Sequence, residues 1–275
     1  MDSRPLNLKG AMFMILGYSL SDWVEYGIKT PINTNLIKNP SCLIAGKSGS
    51  GKSRTFLWYT YGILKNRESL MYLTDFKAGR EYTNLRKCSS YSYADSAIVM
   101  IRNYYDLYCN MRKTDSLNFP HITLAIEEWF GLLTYLETID KKLKAEIMSK
   151  VGEILALGRG IGNGIGIILL IQRADSNNFA SGSGSREQFQ NICCFGRISK
   201  EQKGMLFSGE DIDMNKNYPA GQGLAMIDGQ GSVQEIIVPQ IVNQDKLLSK
   251  IYSYLDNQPT IQELANQFPP TDCGA

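Results

Sequence analysis

The chain has 275 residues, 43% of them hydrophobic, enough to bury a large core in one sizeable domain with short flanks. Lys and Arg total 29 against 27 acids, and a net charge of +2 excludes a global positive field as the means of holding nucleic acid. Six cysteines without a CxxC pair and a single histidine, His121, argue against a zinc site and for reduced thiols packed as small apolar residues.

Residues 1–40 read as a lead-in segment. Their most apolar run, residues 11–16, is far short of the ~20 residues that cross a bilayer. It continues into Asp22 and Glu25 rather than a cleavage site, so an early strand or helix of a soluble, cytoplasmic protein is expected. After Pro40 the pattern becomes regular. Residues 41–45 form a short apolar run that suits a buried parallel strand, and a glycine loop separates it from a helical stretch at 56–64. A second strand at 69–75 closes on Asp75. A helix over 94–111 places Ile98, Ile101, Tyr105 and Tyr108 on one face.

A third strand spans 122–126. A helix over 141–157 carries Leu143, Ile147, Val151 and Ile154 inward, and a strongly apolar strand at 164–171 ends at Gln172. Beyond a Ser/Gly/Asn-rich loop at 175–185, residues 192–198, 223–227 and 233–238 read as strands and 246–255 as a helix. Residues 257–275 read as a C-terminal tail. Strands alternating with helices predict an α/β fold over 41–256, with a mainly parallel central sheet covered by helices on both faces.

The chemistry starts in the glycine loop Gly46-Lys47-Ser48-Gly49-Ser50-Gly51-Lys52-Ser53, followed by Arg54. GxxxxGK[ST] between a strand and a helix lets backbone N–H groups curl around phosphates, with the helix N-terminus adding its dipole. Lys52 is expected to reach the β- and γ-phosphates of ATP, and the Ser53 hydroxyl to ligate Mg2+. The run Ile122-Thr123-Leu124-Ala125-Ile126-Glu127-Glu128 has the form of a Walker B strand. Glu127 would hold the metal through water and Glu128 would polarise the attacking water. Gln172 ends its strand on the side where open α/β sheets bind ligands, placed to sense the γ-phosphate or the lytic water. Arg159 admits two readings: a helix-terminal cation, or an arginine finger given to a neighbouring subunit.

The motif order then becomes specific. "LIAGKSGSGKS", "LMYLTDFKAGREY", "ITLAIEEWFGLL" and "ALGRGIGNGIGIILLIQRAD" together resemble the FtsK/SpoIIIE family of DNA motors, within the FtsK/HerA class. The second block, with Asp75, Lys77 and Glu81, and the last, with Gly158, Arg159, Gln172 and Arg173, carry that likeness, which runs from about Ser41 to about Val238. "REQFQNICCFGRISKEQKGMLFSG" is similar to the segment after the sensor in conjugative relatives. The resemblance implies a RecA-like P-loop NTPase and a homo-oligomeric ring, usually a hexamer, that drives double-stranded DNA by ATP hydrolysis. Cations near Lys77, Arg80 and Arg186 would meet the phosphate backbone.

Departures are Glu127 in place of the usual Asp, and Ala174 where a proline commonly follows Gln-Arg. A motor core without the membrane span and winged-helix module of chromosome pumps fits a coupling or mobilisation ATPase of a plasmid or integrative element. Its partners would be a relaxase or a membrane-anchored transfer protein. The alternatives are a nucleotide-gated adaptor that docks such a partner without translocating, a viral-type packaging ATPase and, more weakly, a small-molecule kinase.

Overall fold

A computed structural model describes residues 12–114, 119–172, 178–179 and 188–269. In chain order its first elements are β1 (Phe13–Ser19), α1 (Leu20–Tyr26), β2 (Pro31–Asn35), β3 (Cys42–Gly46), α2 (Lys52–Leu64) and β4 (Ser69–Asp75). A 3-10 helix (Arg80–Lys87) leads to β5 (Tyr91–Tyr93), α3 (Ser96–Arg112), β6 (His121–Glu127), α4 (Trp129–Ile139) and α5 (Lys141–Leu157). After a 3-10 turn (Gly158–Gly160) come β7 (Ile165–Ile171), β8 (Asn191–Phe195), α6 (Lys200–Leu206), β9 (Gln222–Ile227), β10 (Gln234–Ile237), α7 (Gln244–Asp256) and α8 (Ile261–Gln267).

All the strands join one sheet in the order β2-β1-β10-β9-β8-β3-β7-β6-β4-β5. From β8 to β5 every pairing is parallel. From β8 outward through β9, β10, β1 and β2 every pairing is antiparallel. β3, β6 and β7 are buried at every residue, which accounts for the apolar runs of β3 and β7. Edge strand β2 instead alternates buried with more exposed residues, as a strand covered on one face does.

Two apolar layers cover the sheet. One is built on α2 and α7 with the 3-10 helix, through Phe56, Ile63, Leu85, Leu248 and Ile251. The other is built on α3, α4, α5 and α8, through Ile101, Leu107, Leu132, Ile147 and Leu264. The boundary between α4 and α5 has a local cause. Asp140, in an extended conformation, accepts hydrogen bonds from the backbone N–H groups of Lys142 and Leu143, both at 3.0 Å, and so caps α5.

The mainly parallel sheet with helices on both faces agrees with the sequence expectation. Both flanks prove to be woven into it. The lead-in supplies β1 and β2, and α2 is pinned to β1 where the Trp58 indole donates to the Ile15 carbonyl (3.1 Å) and the Tyr59 hydroxyl to that of Leu16 (2.8 Å). At the other end, the segment read as a tail folds back. Ile261 and Leu264 of α8 are buried, each worth about 1.5–3 kcal/mol of apolar burial. The Gln258 side-chain amide bonds both the N–H and the carbonyl of Met71, at 3.1 and 2.5 Å, like one rung of an additional strand. The Tyr72 hydroxyl donates to the Pro259 carbonyl at 2.8 Å.

Cys42, Cys88, Cys193 and Cys194 are buried free thiols and Cys109 is half-buried and free, in line with the reduced, packed role expected of them. The loop at 175–185, Arg173, Ala174 and Arg186 fall almost entirely outside the described residues, as does Cys273.

Candidate nucleotide site

β3 delivers the chain into the glycine loop at Gly46, whose φ of 147° only glycine adopts readily. A Cβ there would come within 2.6 Å of the Phe195 carbonyl and of Ser50 Oγ, so β8 packs directly under the loop. Residues 47–49 are exposed, Ser50 is buried, and Gly51, at φ 97°, starts α2. This leaves the first N–H groups of α2 facing open space with Lys52 and Ser53 in the first turn, the geometry an anion needs.

Strand order does the rest. β7 lies between β3 and β6, so Gln172 at its end stands between the loop and the acid pair that closes β6. The cavity at the carboxyl ends of these strands has a volume of about 300 Å³. Gly49, Lys52, Ser53, Arg54, Glu127, Glu128 and Gln172 line it.

Lys52 is half-buried, and its ammonium donates to the Lys47 carbonyl at 2.8 Å. Burial lowers its pKa, while the Glu128 and Glu127 carboxylates pull it back up. Glu127 is buried at the end of β6, in register with Asp75 of β4. Burial, and then the Asp75 charge, push its carboxyl up to about 8. Its Oε2 is buried with no hydrogen-bond partner at ordinary distance, and the Tyr82 hydroxyl stands beside it, near enough to favour the charged carboxylate. Glu128 occupies the left-handed region at φ 59°, costly for a side chain of this kind, and begins α4. That conformation turns its carboxylate to accept from Gln172 Nε2 at 3.2 Å.

Magnesium fits this donor set. Glu127, with its orphaned, buried carboxylate oxygen, and Ser53, with its hydroxyl, line the same cavity, and Mg2+ takes few protein ligands, completing its shell with phosphate and water. Among the described residues no group of three or more His, Cys, Asp or Glu forms a closed metal cage. His121, far along β6 from the acids, is buried and bonded to the Asn163 carbonyl and to Thr123.

The structure leaves Arg159 outside this cavity. It sits in the 3-10 turn before β7, ion-paired with Asp228 at 3.0 Å. The Asp228 N–H is bonded to the Gln190 carbonyl at the amino end of β8. β7 and its parallel neighbours run for about seven residues between that end and the loop, which puts Arg159 about 20 Å from its own glycine loop. Arg54, expected among the phosphate contacts, lines the cavity but also donates from Nη2 to the Ala220 carbonyl at 2.8 Å.

Two features had no chemical place in the nucleotide site read from the sequence. Lys77 and Glu81 line the cavity from the turn after β4, and the rule that ligands gather at strand carboxyl ends could have found them. The loop entering β9 braces the glycine loop: Gly221 N–H donates to the Ser50 carbonyl at 2.9 Å, and a Cβ at Gly51 would lie 2.6 Å from Gly221 N. No sequence motif marks that contact.

A glycine loop between a buried strand and a helix, an acid pair on the next strand but one and an amide on the strand between define a RecA-like P-loop NTPase fold. Solved structures share it. The pCW3 conjugation coupling protein TcpA, in its monomer form with ATPγS, is 20% identical, with a TM-score of 0.67 over 92% of this chain and 73% of that one. The cytoplasmic domain of the Thermomonospora curvata type VII secretion ATPase EccC is 15% identical, with a TM-score of 0.65 over 95% of this chain and 33% of that one. ATPases 2 and 3 of EssC from Geobacillus thermodenitrificans are 14% identical, with a TM-score of 0.60 over 97% of this chain and 52% of that one.

The chain thus spans about three quarters of the TcpA chain but only a third to a half of the secretion ATPases. The likeness to FtsK/HerA-class motors expected from the sequence holds at the level of the fold. No protein-family model matches the chain, and no curated protein is significantly similar to it. No helix among the described residues is long and apolar enough to cross a membrane.

Proposed function

We propose that the chain is an ATP-hydrolysing motor that moves double-stranded DNA as part of a ring, in the cytoplasm. The observation that carries the hydrolytic reading is the convergence of Lys52, Glu127, Glu128 and Gln172 on one cavity at the mouth of the glycine loop. Lys52 leaves the Lys47 carbonyl for the β- and γ-phosphate oxygens, a stronger charge-assisted partner. Mg2+, held by Ser53 and Glu127, would offset the charge of the phosphate oxygens. Glu128 takes the proton of the attacking water, and Gln172, already bonded to it, fixes the carboxylate and the water in line.

DNA as the cargo is supported by the Asp75/Lys77 and Gln172 blocks that resemble FtsK/SpoIIIE motors, and by the likeness of the fold to a conjugation coupling protein. A near-neutral chain makes a multi-subunit channel the economical way to concentrate cations on a phosphate backbone. Conjugative transfer or mobilisation of a plasmid or integrative element, with a relaxase or a membrane-anchored transfer protein as partner, is the setting this implies. The test is ATP turnover with and without duplex DNA, read beside the mass of the assembly. Turnover that rises with duplex in an oligomer supports the motor. Nucleotide binding without turnover leaves the adaptor reading, in which the same cavity only gates docking.

A further inference from the structure

The turn that follows β4 is held more firmly than its exposed position requires. Asp75 Oδ2 accepts the Gly79 N–H at 2.6 Å, and the Tyr91 hydroxyl, from the neighbouring strand, donates to the same oxygen at 3.0 Å. Ala78 N–H donates to the Asp75 carbonyl at 3.1 Å, and Arg86 Nη2 donates to the Ala78 carbonyl at 2.9 Å. Between these anchors Ala78 is kept at φ 55°, a conformation that an alanine takes only when its surroundings impose it. Asp75 is itself buried and both neighbours of its carboxylate are accounted for, so its role is to shape this turn rather than to meet a ligand.

What the turn presents is Lys77. Its side chain lines the same cavity as Lys52, Ser53, Glu127, Glu128 and Gln172. Its charge acts on Lys52 in the direction that disfavours the ammonium, alongside the larger effect of burial. Two cations that line one cavity from different elements, the helix after the glycine loop and the turn after β4, converge on an anion held between them. The cavity offers no acid in hydrogen-bonding contact with either ammonium; Lys52 rests on a backbone carbonyl. A polyanion with charge on its outer end satisfies both.

We propose that Lys77 is a second phosphate-directed cation, acting within its own chain on the terminal phosphate of the nucleotide, and that Asp75 positions it through the turn. The proposal rests on the reading of this cavity as a triphosphate site. It differs from the expectation that Lys77 grips DNA, because the side chain faces the cavity of the glycine loop. Lys52 contacts the β- and γ-oxygens from the helix side, and Lys77 covers the outer oxygens from the β4 side, a positive charge that neither the Gln172 amide nor the Glu128 carboxylate can supply. The site then favours a triphosphate over a diphosphate before any neighbouring subunit contributes.

The experiment compares ATPγS and ADP binding to wild type, Lys77→Met and Lys77→Arg by displacement of a fluorescent nucleotide, with duplex DNA binding measured separately without nucleotide. Lys77 is exposed, so all three proteins should melt alike. Lys77→Met is expected to weaken ATPγS by about tenfold or more, the usual loss of a charge-assisted contact, while ADP changes by less than about twofold. Lys77→Arg should restore most of the ATPγS affinity. In turnover, Lys77→Met should lower kcat as well as raise KM. Equal weakening of both nucleotides, no weakening, or an effect confined to DNA binding would each overturn the proposal. Failure of wild type to bind either nucleotide would instead overturn the reading of the cavity on which it stands.

Discussion

Gln172 Nε2 donates to Glu128 Oε1 across the gap between β7 and β6, at 3.2 Å. The bond joins an amide that ends one strand to a carboxylate forced outward by its left-handed backbone. Glu128 is therefore aimed toward Gln172, while Glu127, one residue earlier, is buried in the cavity wall beside Asp75. That difference separates the roles of two adjacent acids. Glu128→Gln should keep ATPγS affinity and slow turnover by ~100-fold or more, the loss typical of a removed general base. Glu127→Gln should act chiefly on the Mg2+ dependence. A dead Glu127→Gln beside an active Glu128→Gln would reverse the assignment.

Lys52→Ala should abolish hydrolysis and leave the melting temperature within a degree or two of wild type. The ammonium has one hydrogen bond, to a backbone carbonyl, and burial already disfavours its charge, so the fold loses little with it. A large drop in melting temperature would make Lys52 a structural residue instead.

Arg159 can serve a nucleotide only across a subunit boundary, since its own site is about 20 Å away along the strands. If it completes a neighbour's site, Arg159→Ala should lower turnover by ~10³-fold while leaving nucleotide binding and assembly intact. Mixing that protein with Glu128→Gln should recover part of the activity. Asp228→Asn, which frees Arg159, should cost at most about 1 kcal/mol and little activity, because an exposed ion pair contributes no more. Parallel, small effects of both substitutions would identify Arg159 as a helix-terminal cation and no more.

His121 gives the fold a pH dependence of known sign. A neutral ring that donates from Nδ1 to the Asn163 carbonyl (3.2 Å) can accept the Thr123 hydroxyl at Nε2 (2.9 Å), and both contacts lie where a charged ring would be cut off from water. Burial pushes its pKa down to about 4 from an ordinary 6.5. The folded state thus binds the proton less readily than the unfolded one. The stability this provides is complete above pH 6.5 and is lost as pH falls toward 4, about 3 kcal/mol in all. His121→Gln, which keeps a donor but cannot titrate, should flatten the fall in melting temperature over that window. An unchanged slope would mean that other groups govern it.

The parallel half of the sheet was legible because its strands are buried on both faces and spell continuous apolar runs, as at 41–45 and 164–171. The glycine loop and acid pair were legible because phosphate chemistry fixes residue type and spacing. Other parts were not. β5 has three residues, with Tyr91 buried and Tyr93 exposed, too short to show any period. α4 begins at the acid pair itself, so the Walker B signal masked its start. β2 and the segment around Gln258 contain prolines and polar residues, which read as loop until tertiary pairing supplies the partners. The placement of Arg159 and of Gly221 depends on which strands are neighbours, and spacing along a chain does not carry strand order.

The Gln258 amide on Met71 has a consequence for how the molecule keeps to itself. Beyond the three residues of β5, the outer edge of β4 would offer an open row of backbone donors and acceptors, the kind of border onto which a foreign strand can add. A side chain that imitates one peptide group, followed by Pro259 and the short α8, closes that border without extending it. Gln258→Ala should leave the nucleotide cavity untouched yet make the protein more prone to self-association through β4, most visibly under mild denaturing conditions.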